Sequence, residues 1–561
     1  MATPATQAPA AAASGAVLLT LASGQFLMTL DSSVMNVSIA QVAQDVGTTI
    51  TGVQTAITFY TLVMATMMIT GGKVGTMIGH RRAFAIGCIV YGAGSLTTAL
   101  APNLAVLIVG WSVLEGLGAA LIMPAIVALV AANFGPAGRP RAYGLVASAG
   151  AIAVAAGPLI GGAVTTYWTW RLVFAGEVVV VLGILAMTRR IQDAVPGVRS
   201  RIDLAGVALS ALGLGLAVYG VLKSGVWGWV RAKPGAPELW GISPTVWLVI
   251  AGLLVLRGFV WWELRTAGRG REPLVDLALL RNSRLVGGLT MFFFQFLLQA
   301  GLFFTIPLFL SVGLGLSALD TGVRLLPLSV TLLIAAIGVP RIWPRASPRR
   351  VVTVGLVLLL AGILSLIGAL EAGAGPEIVT VPLLLAGLGV GALSSQLGAV
   401  TVSSVPDERS GEVGGLQNTA TNLGASLGTA LAGSVLIGAL SASFFAGIDA
   451  NDAIAAPVAE QAEVELAGGI PFVSDDDLET ALAGTTLSTA EQQAVLEENS
   501  DARLVGLRTS LSVLAALAAL AIFLTRLLPT RPAGLEPAGA SGGACGGARG
   551  GASGGASGGR P

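Results

Sequence analysis

The sequence is dominated by long apolar segments that recur along almost the whole chain. An α-helix needs about 20 mainly apolar residues to cross the hydrocarbon core of a bilayer. A backbone that crosses lipid repeatedly can satisfy its own hydrogen bonds as helices, so we predict an all-α integral membrane protein. About fourteen segments are predicted to span, at 15–38, 53–72, 83–100, 104–131, 142–165, 171–188, 203–222, 245–262, 285–310, 322–340, 351–370, 378–403, 414–439 and 504–528.

The composition agrees with a chain surrounded by lipid. Charged residues make up 11% of the 561 residues, whereas a soluble domain carries about 25%. Many of the 76 glycines fall inside the apolar segments, which indicates closely packed helices. The formal net charge is +1, and we find no basic patch with interleaved aromatic residues, so we expect no nucleic-acid partner.

The sequence offers few residues for metal, redox or catalytic chemistry. His80 is the single histidine, and the two cysteines, Cys88 and Cys545, have no ligand-like neighbours. We therefore expect no metal, no disulfide and no cofactor. A membrane-embedded enzyme would need a catalytic constellation at the interface, and we find neither that nor a phosphate-binding loop, so we expect no enzyme activity.

Basic residues concentrate in every second connection between the predicted spans. The positive-inside rule places such connections in the cytoplasm, so both termini of this multi-pass cell-membrane protein are predicted to be cytoplasmic. The segment 1–14 lacks the basic region of a signal peptide, and we expect the first span to remain in the mature protein. The basic residues are Arg81, Arg82, Arg139, Arg141, Arg189, Arg190, Arg199, Arg201, Arg265, Arg269, Arg271, Arg281, Arg284, Arg341, Arg345, Arg349 and Arg350.

Two regions are predicted to lie outside the membrane. Residues 441–503 form an acidic connection, which the span count places outside the cell. Capping-box patterns begin at Ser474 and Ser488, and each is expected to open a short helix. The connection is interpreted either as a small folded cap or as a solvated linker. Residues 529–561 are rich in Ala, Gly and Ser, and are predicted to be a disordered cytoplasmic tail.

Two carboxylates lie well inside predicted spans. Asp31 is in the first span and Glu115 in the fourth, among small and apolar residues. An ionisable residue inside the membrane is costly and is functional by default. Both are therefore candidates to carry protons, and the alternative is a structural role in hydrogen bonding to a neighbouring helix.

Two glycine-rich motifs accompany these carboxylates. Between spans two and three, Gly72 and Gly79 precede Arg81 and Arg82, a pattern that predicts a tight cytoplasmic turn packed against another helix. In span five, Pro158 stands among glycines. A proline kinks a helix and glycines let a neighbouring helix approach closely, so span five is predicted to be a bent, pliable helix. The span-five motif residues are Gly157, Pro158, Gly161 and Gly162.

Taken in order, these motifs resemble those of the major facilitator superfamily, in particular its fourteen-span drug:proton antiporter branch. The resemblance extends over spans one to fourteen. It does not indicate the substrate. The matching segments are Leu30 to Val37, Gly72 to Arg82, Ser112 to Ala120, Gly157 to Gly162, and Trp170 to Phe174 with Arg171.

The resemblance implies a proton-coupled efflux transporter that exports hydrophobic or cationic drugs or similar small molecules. It implies two six-helix bundles, 15–188 and 285–528, with two inserted helices in 203–262. It also implies alternating access, with the substrate near the midplane and the proton gradient as the energy source. We expect a monomer whose partners are its substrates, protons and the bilayer.

The chain departs from the family pattern at positions linked to gating and proton handling. Thr76 replaces the aspartate of the loop motif, Ser112 replaces the arginine of the fourth-helix motif, and Glu115 replaces its companion glutamine. Glu177 in span six stands where the family often has asparagine. Our hypothesis is that Asp31, Glu115 and Glu177 exchange protons together.

Polar and aromatic residues in the C-terminal half are candidates to line a substrate cavity. The alternative for those in span nine is that they face lipid. Three alternatives to drug export remain open: export of one endogenous metabolite, uptake, and a non-transporting receptor that uses 441–503 to bind a ligand. The cavity candidates are Phe293, Gln295, Gln299, Gln417 and Asn418.

Overall fold

The computed structural model describes most of the chain. The predicted tail beyond residue 530, residues 1–7 and the middle of the acidic connection lie outside the described residues. The described ranges are 8–134, 139–192, 203–233, 235–271, 273–343, 345–371, 373–402, 404, 410–455, 472–485 and 487–530.

The described residues form fourteen long helices and no β-strand, which confirms the all-α prediction. Short helices, Ile39–Asp45 and Asp475–Leu482, lie in two of the connections. The long helices are α1 (Ala8–Val37), α2 (Ile50–Ile78), α3 (His80–Ala99), α4 (104–133), α5 (Arg139–Tyr167), α6 (Arg171–Met187), α7 (Leu204–Trp227), α8 (Pro244–Gly268), α9 (Ser283–Leu308), α10 (Ala318–Ile342), α11 (Pro348–Ala369), α12 (Thr380–Val402), α13 (Ser410–Ala450) and α14 (Thr489–Leu524).

Twelve of these helices are long and apolar enough to cross a membrane, and the bent helix α5 makes thirteen. The remaining long helix is α3, which begins with His80, Arg81 and Arg82 and contains several small polar residues. In the described part of the chain, α3 packs against α4 and α6. This helix can lie in the bundle without a wholly apolar surface because its neighbours, and not lipid, cover its small polar face.

Helices extend from both sides into the predicted acidic connection 441–503. Helix α13 continues to Ala450 and α14 already begins at Thr489. The described part of the connection folds back on α14, where Arg503 Nη2 forms an ion pair with Asp475 Oδ1 at 2.5 Å. In these residues the contact favours the folded-cap interpretation over the solvated linker.

Both predicted helix caps are present. The Ser474 side chain accepts a hydrogen bond from the Asp477 backbone N–H and opens the short helix Asp475–Leu482. Ser488 and Glu491 form a reciprocal capping box. The second cap was expected to open a short helix, and this is wrong, because α14 continues from it for 36 residues into the apolar segment.

The helices pack as two similar groups. In α1–α6, the pairs α1–α5, α2–α4, α3–α4 and α3–α6 are in contact. In α9–α14, the pairs α9–α13, α10–α12, α11–α12 and α11–α14 repeat that pattern, with each helix moved by eight places along the chain. The pair α7–α8 belongs to neither group, and α7 packs against α2 of the first group and α13 of the second.

The two groups meet through α2–α13 and α5–α10. Because α10 corresponds to α2 and α13 to α5, exchanging the two groups turns one contact into the other. In the first contact, Gln54 Nε2 donates to the Thr429 carbonyl at 2.9 Å, and Ser426 Oγ donates to the Thr58 carbonyl at 3.0 Å. Each bond joins a side chain of one group to the backbone of the other. A movement of α2 therefore displaces or breaks bonds to α13.

Candidate functional site

The centre of the first helix group depends on a close approach of α3 and α4. A Cβ atom at Gly94 would lie 2.6 Å from Glu115 Cγ and 2.7 Å from the Gly110 carbonyl oxygen. A Cβ atom at Gly118 would lie 2.6 Å from the Tyr91 backbone nitrogen. Because the two helices touch backbone to backbone, the Glu115 side chain lies against α3 and is fully buried.

Three carboxylates from three helices converge at this point. Asp31 of α1, Glu115 of α4 and Glu177 of α6 are all buried, and one oxygen from each lies within 4.8 Å of the others. Thr98 Oγ1 donates to Glu115 Oε1 at 3.0 Å, and Ser95 Oγ donates to Glu177 Oε2 at 3.0 Å. The structure thus brings together the three residues that we predicted to act together, and we call them the carboxylate cluster.

The Asp31 carboxylate is held by a buried tryptophan. Trp111 Nε1 donates to Asp31 Oδ1 at 2.8 Å and to Oδ2 at 3.0 Å. Trp111 lies in the π-helical turn Ile108–Glu115 of α4, a type of turn often found at functional sites. Its ring stacks on that of Tyr60 in α2, with centroids 4.8 Å apart and planes at 4°. The turn therefore links α1, α2 and α4.

The carboxylate cluster has no fixed positive charge along its own helices. The central stretches of α1, α4 and α6 contain no Lys, Arg or His. Among the described residues, Glu115 Oε2 and Glu177 Oε1 have no hydrogen-bond partner. Three neighbouring carboxylates in apolar surroundings cannot all be ionised at low cost, so the cluster is suited to bind cations. The spacing could also accommodate a metal ion, and the expected absence of one stays a prediction.

Two of the positions that depart from the family motifs, Ser112 and Thr76, bind backbone carbonyls. Ser112 Oγ donates to the Ala56 carbonyl of α2 at 2.7 Å, so this residue ties α4 to α2. Thr76 is exposed, and its Oγ1 donates to the Lys73 carbonyl within α2 at 2.7 Å. Neither hydroxyl can supply the charge of the residue that it replaces.

The turn between α2 and α3 is tighter than predicted. We expected Gly72 to be part of the turn, and this is wrong, because α2 continues through Gly72 as far as Ile78. Gly79 alone makes the turn, with φ at +95°, a conformation that favours glycine. Arg81 and Arg82 are exposed at the start of α3, and Arg81 Nη1 donates to the Ile191 carbonyl beyond α6 at 3.3 Å.

Helix α5 is bent as predicted. Its parts Ser148–Val154 and Ala156–Tyr167 meet at 43°. The bend lies just before Pro158, which has no N–H to donate to the Val154 carbonyl. Ser329 Oγ of α10 donates to that carbonyl at 3.4 Å. The proline thus releases a backbone acceptor to the second helix group.

The glycines around Pro158 face two different helices. Gly157 lies against Ser33 of α1, and a Cβ atom at Gly161 would lie 2.9 Å from Val34 Cγ2 of the same helix. A Cβ atom at Gly162 would lie 2.5 Å from the Ala318 carbonyl oxygen of α10. The motif therefore packs α5 closely on both sides, against its own group and against the other.

Arg171 binds the end of α3. Its Nη1 donates to the carbonyls of Ala99 at 3.3 Å and Ala101 at 2.5 Å. The cation also lies over the Trp170 ring, 4.6 Å from its centroid. A cation at a helix C-terminus is favourable because the last carbonyls carry partial negative charge. Arg171 therefore stabilises the join between α3 and α6.

The predicted cavity residues divide into two kinds. Gln295 is buried, and its Nε2 donates to Ser394 Oγ of α12 at 2.8 Å. Gln417 Oε1 accepts from Thr401 Oγ1 of α12 at 3.0 Å. These two amides join helices of the second group. The other candidates are partly exposed, as Gln417 also is, and they are Phe293, Gln299 and Asn418.

Several residues of the site were missed from the sequence. Trp111 is the neighbour of Ser112, and its place one turn before Glu115 was an available signal. No sequence signal marked the hydroxyl and ring residues that α2 and α3 contribute, because such residues are common inside spans. The missed residues are Tyr60, Tyr91, Ser95, Thr98 and Trp111.

Comparisons with known proteins agree with this architecture. The family model described as Major Facilitator Superfamily matches residues 21–429. The Tetracenomycin C resistance and export protein of Streptomyces glaucescens is 31% identical over 422 residues, which cover 74% of each chain. The Probable actinorhodin transporter of Streptomyces coelicolor is 29% identical, covering 83% of this chain and 78% of its own. A multidrug efflux pump of Mycolicibacterium smegmatis is 27% identical, covering 84% and 90%.

Solved structures share the fold at low sequence identity. A bacterial homologue of the human lysosomal transporter Spinster, in an inward-facing and unoccupied conformation, aligns with a TM-score of 0.57 at 15% identity, covering 92% of this chain and 98% of its own. An auto-inhibited peptide transporter of the POT family aligns with a TM-score of 0.55 at 15% identity, covering 93% and 99%. These likenesses concern the helix arrangement alone.

Proposed function

The chain belongs to the Major Facilitator Superfamily, and from this premise we propose that it is a proton-coupled exporter of small hydrophobic or cationic molecules. Its relatives are named as antibiotic and multidrug resistance or export proteins, which supports export of drug-like substrates. It is a multi-span membrane transporter, and we propose that it acts without enzymatic turnover or a cofactor.

The carboxylate cluster is the observation that carries the proton-coupled part of the proposal. Asp31, Glu115 and Glu177 come from three helices of one group and lie within 4.8 Å of one another. Binding of a proton removes a charge that is costly in apolar surroundings. If one orientation of the helix groups holds the protonated cluster better than the other, the proton gradient drives the change between them.

We propose that the two helix groups, α1–α6 and α9–α14, rock against each other within a monomer, with α7–α8 inserted between them in sequence. The basic connections would face the cytoplasm, together with both termini. The substrate would sit between the groups, near the partly exposed Phe293, Gln299 and Asn418. The α2–α13 and α5–α10 contacts would then move as access alternates.

A second candidate is a dedicated exporter of one endogenous metabolite. Two relatives are named for tetracenomycin C and actinorhodin, each a single compound. The same carboxylate cluster would couple that export to protons. The two candidates differ in the range of substrates that the protein accepts and not in mechanism.

Ethidium efflux would test the proposal. Wild-type protein in energised everted membrane vesicles should accumulate ethidium, and a protonophore should stop it. Asp31→Asn and Glu115→Gln should each lower the rate by at least about a hundredfold, as expected when a residue essential for proton transfer is lost. Protein amounts in the membrane would be matched by immunoblotting.

The matched control is Glu263→Gln. Glu263 is also a buried carboxylate with an unpartnered oxygen among the described residues, but it lies in α8 and binds the Val275 N–H. This variant should pump at nearly the wild-type rate. Efflux that persists with the protonophore, or in both cluster variants, would contradict proton coupling. A folded wild type that moves no ethidium, but does move one compound such as tetracenomycin C or actinorhodin, would favour the second candidate.

A further inference from the structure

Trp111 donates to both oxygens of the Asp31 side chain, so the geometry of this contact depends on whether that carboxylate carries a proton. One indole N–H is shared by both Asp31 oxygens, at 2.8 and 3.0 Å. A carboxylate offers two equivalent acceptor oxygens, whereas a protonated carboxyl group turns one of them into a donor. Proton binding to Asp31 therefore weakens this shared bond.

The Trp111 ring also touches the helix that joins the two groups. It stacks on Tyr60 of α2, and the same helix accepts from Ser426 at the Thr58 carbonyl, two residues before Tyr60. Gln54, one further turn away, donates to the Thr429 carbonyl. The contacts thus run without interruption from Asp31 through Trp111 and Tyr60 to α13 of the second group.

We propose that Trp111 is a positioning residue that holds Asp31 in its ionised geometry and transmits its protonation through Tyr60 to the contact between the helix groups. This inference rests on the proposed proton-coupled transport. Trp111 does not carry the proton itself, since an indole N–H only donates. Its effect comes from binding one state of Asp31 better than the other.

Asp31 has titratable neighbours on each helix around it. Glu115 of α4 and Glu177 of α6 share the cluster. Tyr60 of α2 and Tyr91 of α3 bring buried hydroxyls near it. The stretch 144–166 of α5 adds no titratable residue. Any pH dependence therefore belongs to the cluster as a unit, and Trp111 acts on its Asp31 member.

Proton release would measure the role of the indole. Tetraphenylphosphonium is added to purified full-length protein in weakly buffered detergent at several pH values, and the protons released are recorded. In Trp111→Phe the ionised form loses its donor, so the midpoint of the release profile should move up by about one pH unit. Retained tetraphenylphosphonium binding would show that the variant is folded.

Trp170→Phe is the matched control. The Trp170 indole also donates to a carboxylate, Asp45 Oδ2 at 2.9 Å, but away from the cluster. Its midpoint should stay at the wild-type value. A Trp111→Phe midpoint equal to that of the wild type would overturn this inference and leave the proposed function standing. Absence of proton release from the wild type at every pH would overturn both.

The second step is tested at Tyr60, which also serves if Trp111→Phe fails to fold. Tyr60→Leu removes the stacked ring but leaves the indole bond to Asp31. It should slow ethidium efflux by about tenfold or more relative to Tyr60→Phe, which is the size of a 1.4 kcal/mol coupling. The two variants should share one midpoint of proton release, because both lose the hydroxyl near Asp31. Tyr60→Phe keeps a ring and should restore the rate. Wild-type efflux in Tyr60→Leu would overturn transmission through the stack.

Discussion

At the residue scale, the carboxylate cluster depends on the absence of a side chain at Gly94. A methyl group there would meet Glu115 Cγ at 2.6 Å and the Gly110 carbonyl oxygen at 2.7 Å. Backbone cannot move aside as a flexible side chain can, so Gly94→Ala should separate α3 from α4. We expect a loss of about 1–3 kcal/mol of stability and a severe loss of efflux, measured by thermal unfolding in detergent and by ethidium transport.

Gly183→Ala provides the comparison for Gly94→Ala. Gly183 is on α6, and a Cβ atom at this position would meet nothing within 4 Å. Alanine is the better helix former, so this variant should be at least as stable as the wild type and should pump normally. If the two variants unfolded and pumped alike, close α3–α4 packing would not be what positions Glu115.

The sequence was sufficient to identify the three members of the carboxylate cluster, but not to predict that they lie next to one another. A carboxylate in an apolar span is conspicuous whatever it contacts, which is why Asp31, Glu115 and Glu177 could be predicted singly. Whether they converge depends on how each helix is rotated about its axis, and here that rotation follows from the glycine contacts of α3 and α4. Trp111 escaped prediction because an aromatic residue within a span is ordinary.

At the element scale, Pro158 gives α5 both its bend and a bond to the other group. The proline leaves the Val154 carbonyl without its intrahelical donor, and Ser329 of α10 donates to it. Pro158→Ala should return an N–H to that carbonyl, straighten α5 and weaken the α5–α10 contact. Loss of one hydrogen bond worth about 1 kcal/mol should slow efflux by about fivefold, measured at equal protein levels in vesicles.

Pro340→Ala separates this effect from proline removal in general. Pro340 also lies within a helix, near the end of α10, where it is exposed. This variant should pump as the wild type does. An equal slowing in both variants would mean that helix stiffness, and not the contact with Ser329, limits the rate.

The helix boundaries show where sequence patterns reach their limit. Apolar content marks where a helix lies in lipid, so it found the central part of α13 and α14 but not their polar extensions, which continue to Ala450 and begin at Thr489. The cap signal at Ser488 was read correctly as a helix start. The cap is separated from the apolar segment by polar residues, so the sequence did not indicate that the cap and the apolar segment belong to one helix.

At the scale of the whole molecule, the repeated packing pattern has a mechanical consequence. The α2–α13 and α5–α10 contacts are related by the same eight-helix step as the groups themselves. Two equivalent seams of this kind allow one group to rotate against the other as a body, because neither group needs to repack internally. The rocking proposal therefore predicts that one bond across a seam stops transport, while a bond inside a group does not.

A disulfide across the α5–α10 seam tests that prediction. Leu319 N of α10 donates to Thr166 Oγ1 of α5 at 2.9 Å, so Thr166→Cys with Leu319→Cys, in a chain with Cys88 and Cys545 replaced by serine, should form the bond. Oxidation should abolish ethidium efflux, and reduction should restore it. The control pair, Ser38→Cys with Thr165→Cys, joins hydroxyls 2.7 Å apart within the first group and should pump in both states. Unchanged efflux in the oxidised seam variant, with the bond verified on gels, would mean that this contact stays closed throughout the cycle.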